Sequence, residues 1–326
     1  MTATSPLQSG LVVANYGRHF LVETSGGRRL ICHSRGKKSQ ALVGDRVLWQ
    51  ASGAEGTIEK IEPRRNVLYR QDEVRVKSFA ANLDQILILI AAQPEFSSSQ
   101  LSRALIAAEA EHITAIIALN KSDLVEPFAR AWEWLLPYRQ MHYGVLPLSL
   151  RAPTLATSCA ALPPEGALAP WGGPASLDHV RALLRGKTTL VLGPSGAGKS
   201  TLINLLAPNA LAQTGELSQA LSSGKHTTTA TTLYWVDDER STALIDSPGF
   251  QEFGLQHIEP AQLAAYMPDL KAHVANCKFY NCSHLHEPGC GVISAMKSAE
   301  NAGAISANRY KIYSELFAEL SASKKY

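Results

Sequence analysis

The chain has 326 residues, of which 45% are hydrophobic and 18% charged, and its formal net charge is +3. That length and apolar content suit a globular protein of two or three domains. The longest apolar run, Ile86 to Ala92, is far too short to cross a bilayer, and the first residues lack the basic region and apolar core of a secretory signal, so a cytoplasmic, non-membrane protein is expected.

From Gly10 to Arg70 the pattern is short and β-rich. Leu11-Val-Val-Ala14, His19-Phe-Leu-Val-Glu23, Arg29-Leu-Ile-Cys32, Arg46-Val-Leu-Trp49 and Gly56-Thr-Ile-Glu59 are separated by Gly, Ser and Asp punctuation. Five such strands suit a small barrel, and OB-type barrels are a common form that binds nucleic acid. Residues 1–70 hold eleven Lys and Arg against five acids, a local charge of +6, so the remaining 256 residues sum to −3. A basic module on a near-neutral body points to a polyanionic partner; a solvated barrel face explains the same charge equally well.

Residues 71–82 read as a connector, after which strands and helices alternate. The expected order is a strand over Leu83–Ala92, a serine-capped helix over Ser98–His112, a strand over Ala115–Leu119, a helix over Pro127–Met141 and a strand over Val145–Ser149. A Pro, Gly and Ala-rich loop (Arg151–Pro174) then leads to a helix over Leu177–Leu184, a strand over Thr189–Leu192 and a helix from Lys199. This rhythm predicts a parallel sheet with helices on both faces. After Phe250 it gives way to a Cys/His segment and helices, the last over Ala307–Ser321.

Three motifs in the alternating region carry chemistry. Gly193-Pro194-Ser195-Gly196-Ala197-Gly198-Lys199-Ser200 has the phosphate-loop form G-x-x-x-x-G-K-S, between a strand and a helix. Its backbone N–H groups, with Thr201 just beyond, can cradle phosphates, Lys199 supplies charge to the β/γ-phosphates and Ser200 offers a hydroxyl to Mg²⁺. Asn120-Lys121-Ser122-Asp123 has the form N-K-x-D: Asp123 can accept from guanine N1–H and its exocyclic amine, Lys121 can pack its stem on the base and Asn120 can brace the loop. Asp246-Ser-Pro-Gly249 ends the strand expected over Thr242–Ile245, so Asp246 can hold Mg²⁺ through water and the Gly249 N–H can sense a γ-phosphate.

In Gly224-Lys-His-Thr-Thr-Thr-Ala230, Thr229, then Thr228, is the candidate to close on Mg²⁺. The residue after Asp-x-x-Gly is Phe250, which cannot orient an attacking water as glutamine does; His226 is the in-chain candidate for that role. The base reader precedes the phosphate loop, the reverse of the order in an ordinary GTPase.

Near the end, Cys277, Cys282, His284 and Cys290 supply three thiolates and an imidazole, the ligand set of a closed, structural tetrahedral zinc site, with His286 the rival to His284.

The permuted motifs, the basic barrel and the Cys3His segment together resemble the RsgA family of bacterial GTPases. The resemblance runs from Val43-Gly-Asp-Arg-Val47 and Pro63-Arg-Arg-Asn66 to Cys277-Lys-Phe-Tyr-Asn-Cys-Ser-His284 and Arg309-Tyr-Lys-Ile-Tyr313. It implies an OB-like barrel to about residue 70, a circularly permuted GTPase domain over 71–255 and a zinc-binding helical domain over 256–326. It also places Ser149 in a second base-side loop, and implies a monomeric, late-acting assembly factor that binds the small ribosomal subunit and its RNA and leaves on GTP hydrolysis. A GTPase acting on another RNA and a nucleotide-gated RNA-binding module are the alternatives. The helix at Leu101-Ser-Arg-Ala-Leu105 departs from the family's usual form without touching a nucleotide motif.

Overall fold

Turn residues break the first sixty positions into five strands: β1 (Gln8–Tyr16), β2 (His19–Thr24), β3 (Arg29–Ser34), β4 (Arg46–Ser52) and β5 (Glu55–Ile61). They pair in the order β1-β2-β3-β5-β4, and β1 pairs again with β4, which closes a barrel. Val12, Phe20, Val22, Cys32, Val47, Trp49 and Ile58 fill it, the inward half of each alternating strand. The computed structural model describes residues 6–35, 40–71, 76–151, 174–208, 231–247, 254–298 and 305–323.

The expected connector is more ordered than its sequence suggests. β6 (Val67–Gln71) and β7 (Val76–Ala81) form an antiparallel hairpin of their own, and Pro63-Arg-Arg-Asn66 bolts it down. Asn66 exchanges side-chain hydrogen bonds with the Leu83 backbone (2.8 Å each way). Arg64 grips the fully buried Asp45 through Nε and Nη2 at 2.8 and 2.7 Å. Arg65 pairs with Asp84 at 2.8 Å, Arg29 with Glu23 at 2.7 Å and Arg35 with Glu59 at 2.5 Å. Of these pairs only Arg65–Asp84 draws on the basic excess of residues 1–70, since Asp45, Glu23 and Glu59 are already counted among its acids.

The second half of the fold is a sheet in the order β10-β9-β8-β11-β13-β12, made of β8 (Gln85–Ala91), β9 (Thr114–Asn120), β10 (Gly144–Pro147), β11 (Thr188–Leu192), β12 (Thr231–Trp235) and β13 (Ala243–Asp246). β10, β9, β8, β11 and β13 are mutually parallel, as the alternation predicts. β12, which the sequence reading did not anticipate, runs antiparallel to β13 and on its other side to β1 (Ala14↔Thr232, Asn15↔Thr231). The barrel and the sheet thus share one eleven-stranded ladder.

Strand β8 shows how both faces are covered. Ile86, Ile88 and Ile90 enter one core and Leu87, Leu89 and Ala91 the other, the period-two split of a strand buried on both sides. One face carries α1 (Ser98–Ala110, capped by Ser97), α2 (Val125–Trp134) and α3 (Leu136–Gln140); the other carries α4 (Leu177–Leu184) and α5 (Lys199–Leu206). The single helix expected over Pro127–Met141 is broken at Leu135, because Pro137 lacks an N–H and starts a new helix at its first turn. The C-terminal part, a 3₁₀ turn (Pro260–Tyr266) with α6 (Pro268–Val274), α7 (Gly291–Lys297) and α8 (Ala307–Ser323), packs into the same core as α1. No helix among the described residues is long and apolar enough to cross a membrane.

Candidate nucleotide site and metal centre

The base reader, the phosphate loop and Asp246 each sit at the carboxyl end of a parallel strand, where open α/β sheets bind ligands. Asn120 ends β9, Ser149 follows β10, the phosphate loop follows β11 and Asp246 ends β13. Because β8 and β11 are hydrogen-bonded neighbours, a base reader early in the chain and a phosphate loop some seventy residues later meet in space.

Asn120 makes that junction. Its side chain is buried, its Nδ2 donates to the Ala197 carbonyl at 2.8 Å, and its Oδ1 accepts from the Leu150 N–H at 3.1 Å. One amide therefore ties the base-side loops to the phosphate loop. Gly198 makes room for it: at φ +106°, a Cβ there would lie 2.6 Å from Asn120 Nδ2. Gly193 is equally constrained, since its Cβ would meet the Leu89 carbonyl oxygen at 2.0 Å. Both glycines serve close backbone approach.

Ser149 Oγ donates to Asp123 Oδ1 at 3.0 Å, and the Ser122 N–H donates to the Leu148 carbonyl at 2.9 Å, so the two base-side loops are fastened to each other. Lys121 Nζ donates to the Gln93 carbonyl, a contact the sequence did not signal because a backbone carbonyl has no residue signature. Arg151 lies 3.9 Å from the other Asp123 oxygen and was likewise not foreseen.

Lys199 opens α5 and its Nζ donates to the Gly193 carbonyl at 2.7 Å, which folds it back across the loop. Burial lowers its pKa, partly offset by Asp246; burial raises the Asp246 pKa, partly offset by Lys199. Each charged form is costly here without a counter-charge, the state expected of groups that meet phosphate and metal. Ser200 and Thr201 are exposed at the start of α5. Hard oxygen donors at Ser200 and Asp246 suit Mg²⁺. His226, Thr228, Thr229, Gly249 and Phe250 lie outside the described residues.

The second site is compact. The donor atoms of Cys277, Cys282, His284 and Cys290 all lie within 4.8 Å of one another. Cys277 Sγ and Cys290 Sγ are 3.4 and 3.5 Å from His284 Nδ1 and 3.9 Å from each other. Zinc–ligand bonds of about 2.0–2.3 Å in a tetrahedron put donors roughly 3.5–3.8 Å apart, so the cluster could hold such a metal. Burial lowers the His284 pKa, which keeps the imidazole in its ligating neutral form. His286 stays exposed and outside the cluster. Tyr310 and Tyr313, from α8, donate their hydroxyls to the His284 and Ser283 carbonyls, both at 2.8 Å, and so orient the ligand loop.

The fold and site are those of a circularly permuted P-loop GTPase. A solved structure described as "YloQ, a circularly permuted GTPase" superposes with a TM-score of 0.66 at 25% identity, covering 100% of this chain and 99% of that one. YjeQ from Thermotoga maritima gives a TM-score of 0.68 at 25% identity, with 97% and 99% covered. The RsgA GTPase family profile matches residues 61–161 and 172–256. The small ribosomal subunit biogenesis GTPase RsgA of Variovorax paradoxus (strain S110) is 66% identical over 323 residues, covering 99% of this chain and 96% of that protein. The chain belongs to the RsgA GTPase family.

Proposed function

We propose that this protein binds the small ribosomal subunit through its RNA, hydrolyses GTP to GDP and phosphate there, and is released by that hydrolysis late in subunit assembly. The observation that carries the reading is the Asn120 junction, which joins two motifs in reversed order into one guanine-nucleotide site. The name borne by the Variovorax relative supplies the partner.

In this reading Asp123, held by Ser149, selects guanine, with Asn120, Lys121 and Ser122 shaping the base pocket. Gly193 to Thr201 wrap the phosphates, and Lys199 swings from the Gly193 carbonyl onto the β/γ-phosphates. Ser200, Thr229 and Asp246 would hold Mg²⁺, which supplies charge neutralisation on the phosphate oxygens. Gly249 reports the γ-phosphate and His226 positions the attacking water. The Cys3His cluster holds one structural zinc. The protein works as a cytoplasmic monomer in three modules, divided near residues 70 and 255.

Phe250 stands where a water-orienting glutamine would serve hydrolysis, so the site is slow until the subunit completes it. GTP turnover by purified protein should therefore rise by orders of magnitude when small subunits are added. Equal rates with and without subunits would sink this reading.

A further inference from the structure

Between two of the clustered cysteines runs Lys278-Phe279-Tyr280-Asn281, and both of its aromatic side chains are exposed. Tyr280 is 103% exposed and Phe279 41% exposed. The backbone holds them out: the Lys278 N–H donates to the Gly289 carbonyl at 3.0 Å and the Cys282 N–H to the Phe279 carbonyl at 3.3 Å, which makes Tyr280 the tip of a tight turn. Scattered apolar residues on a surface mean little, but two adjacent aromatic rings on a turn pinned at both ends by the Cys277 and Cys282 ligands form a presented surface.

A lysine sits within the turn itself. Lys278 Nζ lies 5.6 Å from the Phe279 ring centroid, and Lys271, Lys278 and Lys297 are all exposed. Of the two carboxylates among residues 268–298, only Asp269 has a cationic partner; Glu287 keeps its charge on backbone N–H groups. Asp269 is paired with Arg309 at 2.7 Å, and Glu287 accepts from the Ser283, Leu285 and His286 N–H groups. Asn276 and Asn281 flank the aromatic pair with exposed amides. Flat rings, a neighbouring cation and free amide groups are the elements that bind unpaired bases: ring on base, ammonium on phosphate, amide on base edge. A protein partner for two exposed rings would not need the lysine and amides beside them.

We propose that the 278–281 turn is a base-stacking site, in which Tyr280, with Phe279 beside it, stacks an unpaired base of single-stranded RNA while Lys278 meets the adjoining phosphate. The inference rests on the RNA-binding reading above and names which surface of the C-terminal module makes the contact.

The test uses full-length, zinc-loaded protein. Short-wavelength irradiation with small ribosomal subunits, and separately with a nine-nucleotide single-stranded RNA, should give an RNA adduct on the peptide containing Phe279 and Tyr280. Tyr280→Ala should weaken binding of the single strand about tenfold, Tyr280→Trp should retain it, and both should keep wild-type zinc content and GTP affinity. A duplex of the same sequence, whose bases are already stacked, should be indifferent to both changes. If wild-type protein ignores subunits yet binds the single strand through Tyr280, the stacking site stands and the ribosomal reading falls. Wild-type binding of the single strand by Tyr280→Ala overturns the proposal, as does an adduct that maps to a ribosomal protein instead of RNA.

Discussion

The two modules that flank the nucleotide-binding sheet are fastened to it by different physics. The barrel is joined by backbone: β1 continues the sheet through β12, with the buried Glu23 accepting from Arg29 Nε at 2.7 Å and Trp235 Nε1 at 2.8 Å beside that seam. The C-terminal module is joined by side chains. Arg309, 3% exposed, donates to Asp269 at 2.7 and 3.0 Å and to Ser102 Oγ on α1 at 2.7 Å, and its guanidinium lies 5.3 Å from the Tyr138 ring centroid. β12 leaves the segment that holds the threonine-rich motif, so a strain on that segment reaches the barrel along a hydrogen-bonded strand. Among the described residues, it meets the C-terminal module through packing and side-chain clamps, Arg309 with Asp269 and Ser102 and Arg103 on α1 with Glu319 on α8. The contrast teaches that a ladder transmits backbone position, whereas a clamp transmits presence or absence of a few contacts.

The sharpest way to break this contrast is to remove the metal. The stretch from Cys277 to Cys290 has few apolar residues to fold around, and a structural zinc in such a unit contributes apparent free energy of about 10–16 kcal/mol. Chelation should therefore expose this stretch to protease while the barrel strands stay protected. Cleavage patterns identical with and without chelator would mean that α8 alone holds the loop.

Next in size is the clamp. Arg309→Met leaves the buried Asp269 carboxylate of α6 without its counter-charge, with the Leu270 N–H still donating to it at 3.1 Å, and losing one member of a buried pair costs about 3–5 kcal/mol. Urea unfolding should show that loss. Arg309→Met with Asp269→Leu together should recover much of it, because the desolvation cost leaves with the second charge. A single variant within about 1 kcal/mol of wild type would show that the packing around α8, and not the clamp, fastens the module.

Which parts of this architecture the sequence reveals follows from how local their causes are. The phosphate loop, the N-K-x-D and the cysteine spacing are legible because phosphate, guanine and metal each demand particular atoms within a few residues. The five barrel strands and the helices over Ser98–Ala110 and Leu177–Leu184 are legible from turn residues and caps. β12 is not, since Thr231-Thr-Leu-Tyr-Trp235 is five residues long, follows a polar run and becomes a strand only because β13 and β1 stand on either side. The β6–β7 hairpin escapes for a related reason: its anchors, Arg64, Arg65 and Asn66, are polar and look like solvated surface until Asp45, Asp84 and the Leu83 backbone are placed opposite them. The contact from Gln93 to Lys121 leaves no trace at all, because the group that makes it is common to every residue.

The smallest expected effect tests whether the barrel seam is a ladder or a side-chain contact. Glu23 lies on β2 and reaches Trp235 at the end of β12. Trp235→Phe removes the indole N–H but keeps an aromatic ring in place, and Glu23 still holds Arg29 at 2.7 Å. The carboxylate is therefore not orphaned, and the loss should be that of one hydrogen bond to a charged group, about 1.5–3 kcal/mol at most. Glu23→Ala should cost at least as much, because it removes the acceptor of both Arg29 Nε and Trp235 Nε1. If the seam is a ladder, amide exchange at Thr231 and Thr232 should stay nearly as slow in Trp235→Phe as in wild type. Backbone pairing with Ala14 and Asn15 survives the change. If instead those amides exchange at the rate of global unfolding in wild type but far faster in the variant, the Glu23–Trp235 contact holds the strand in place. The barrel would then be clamped by side chains, as the C-terminal module is.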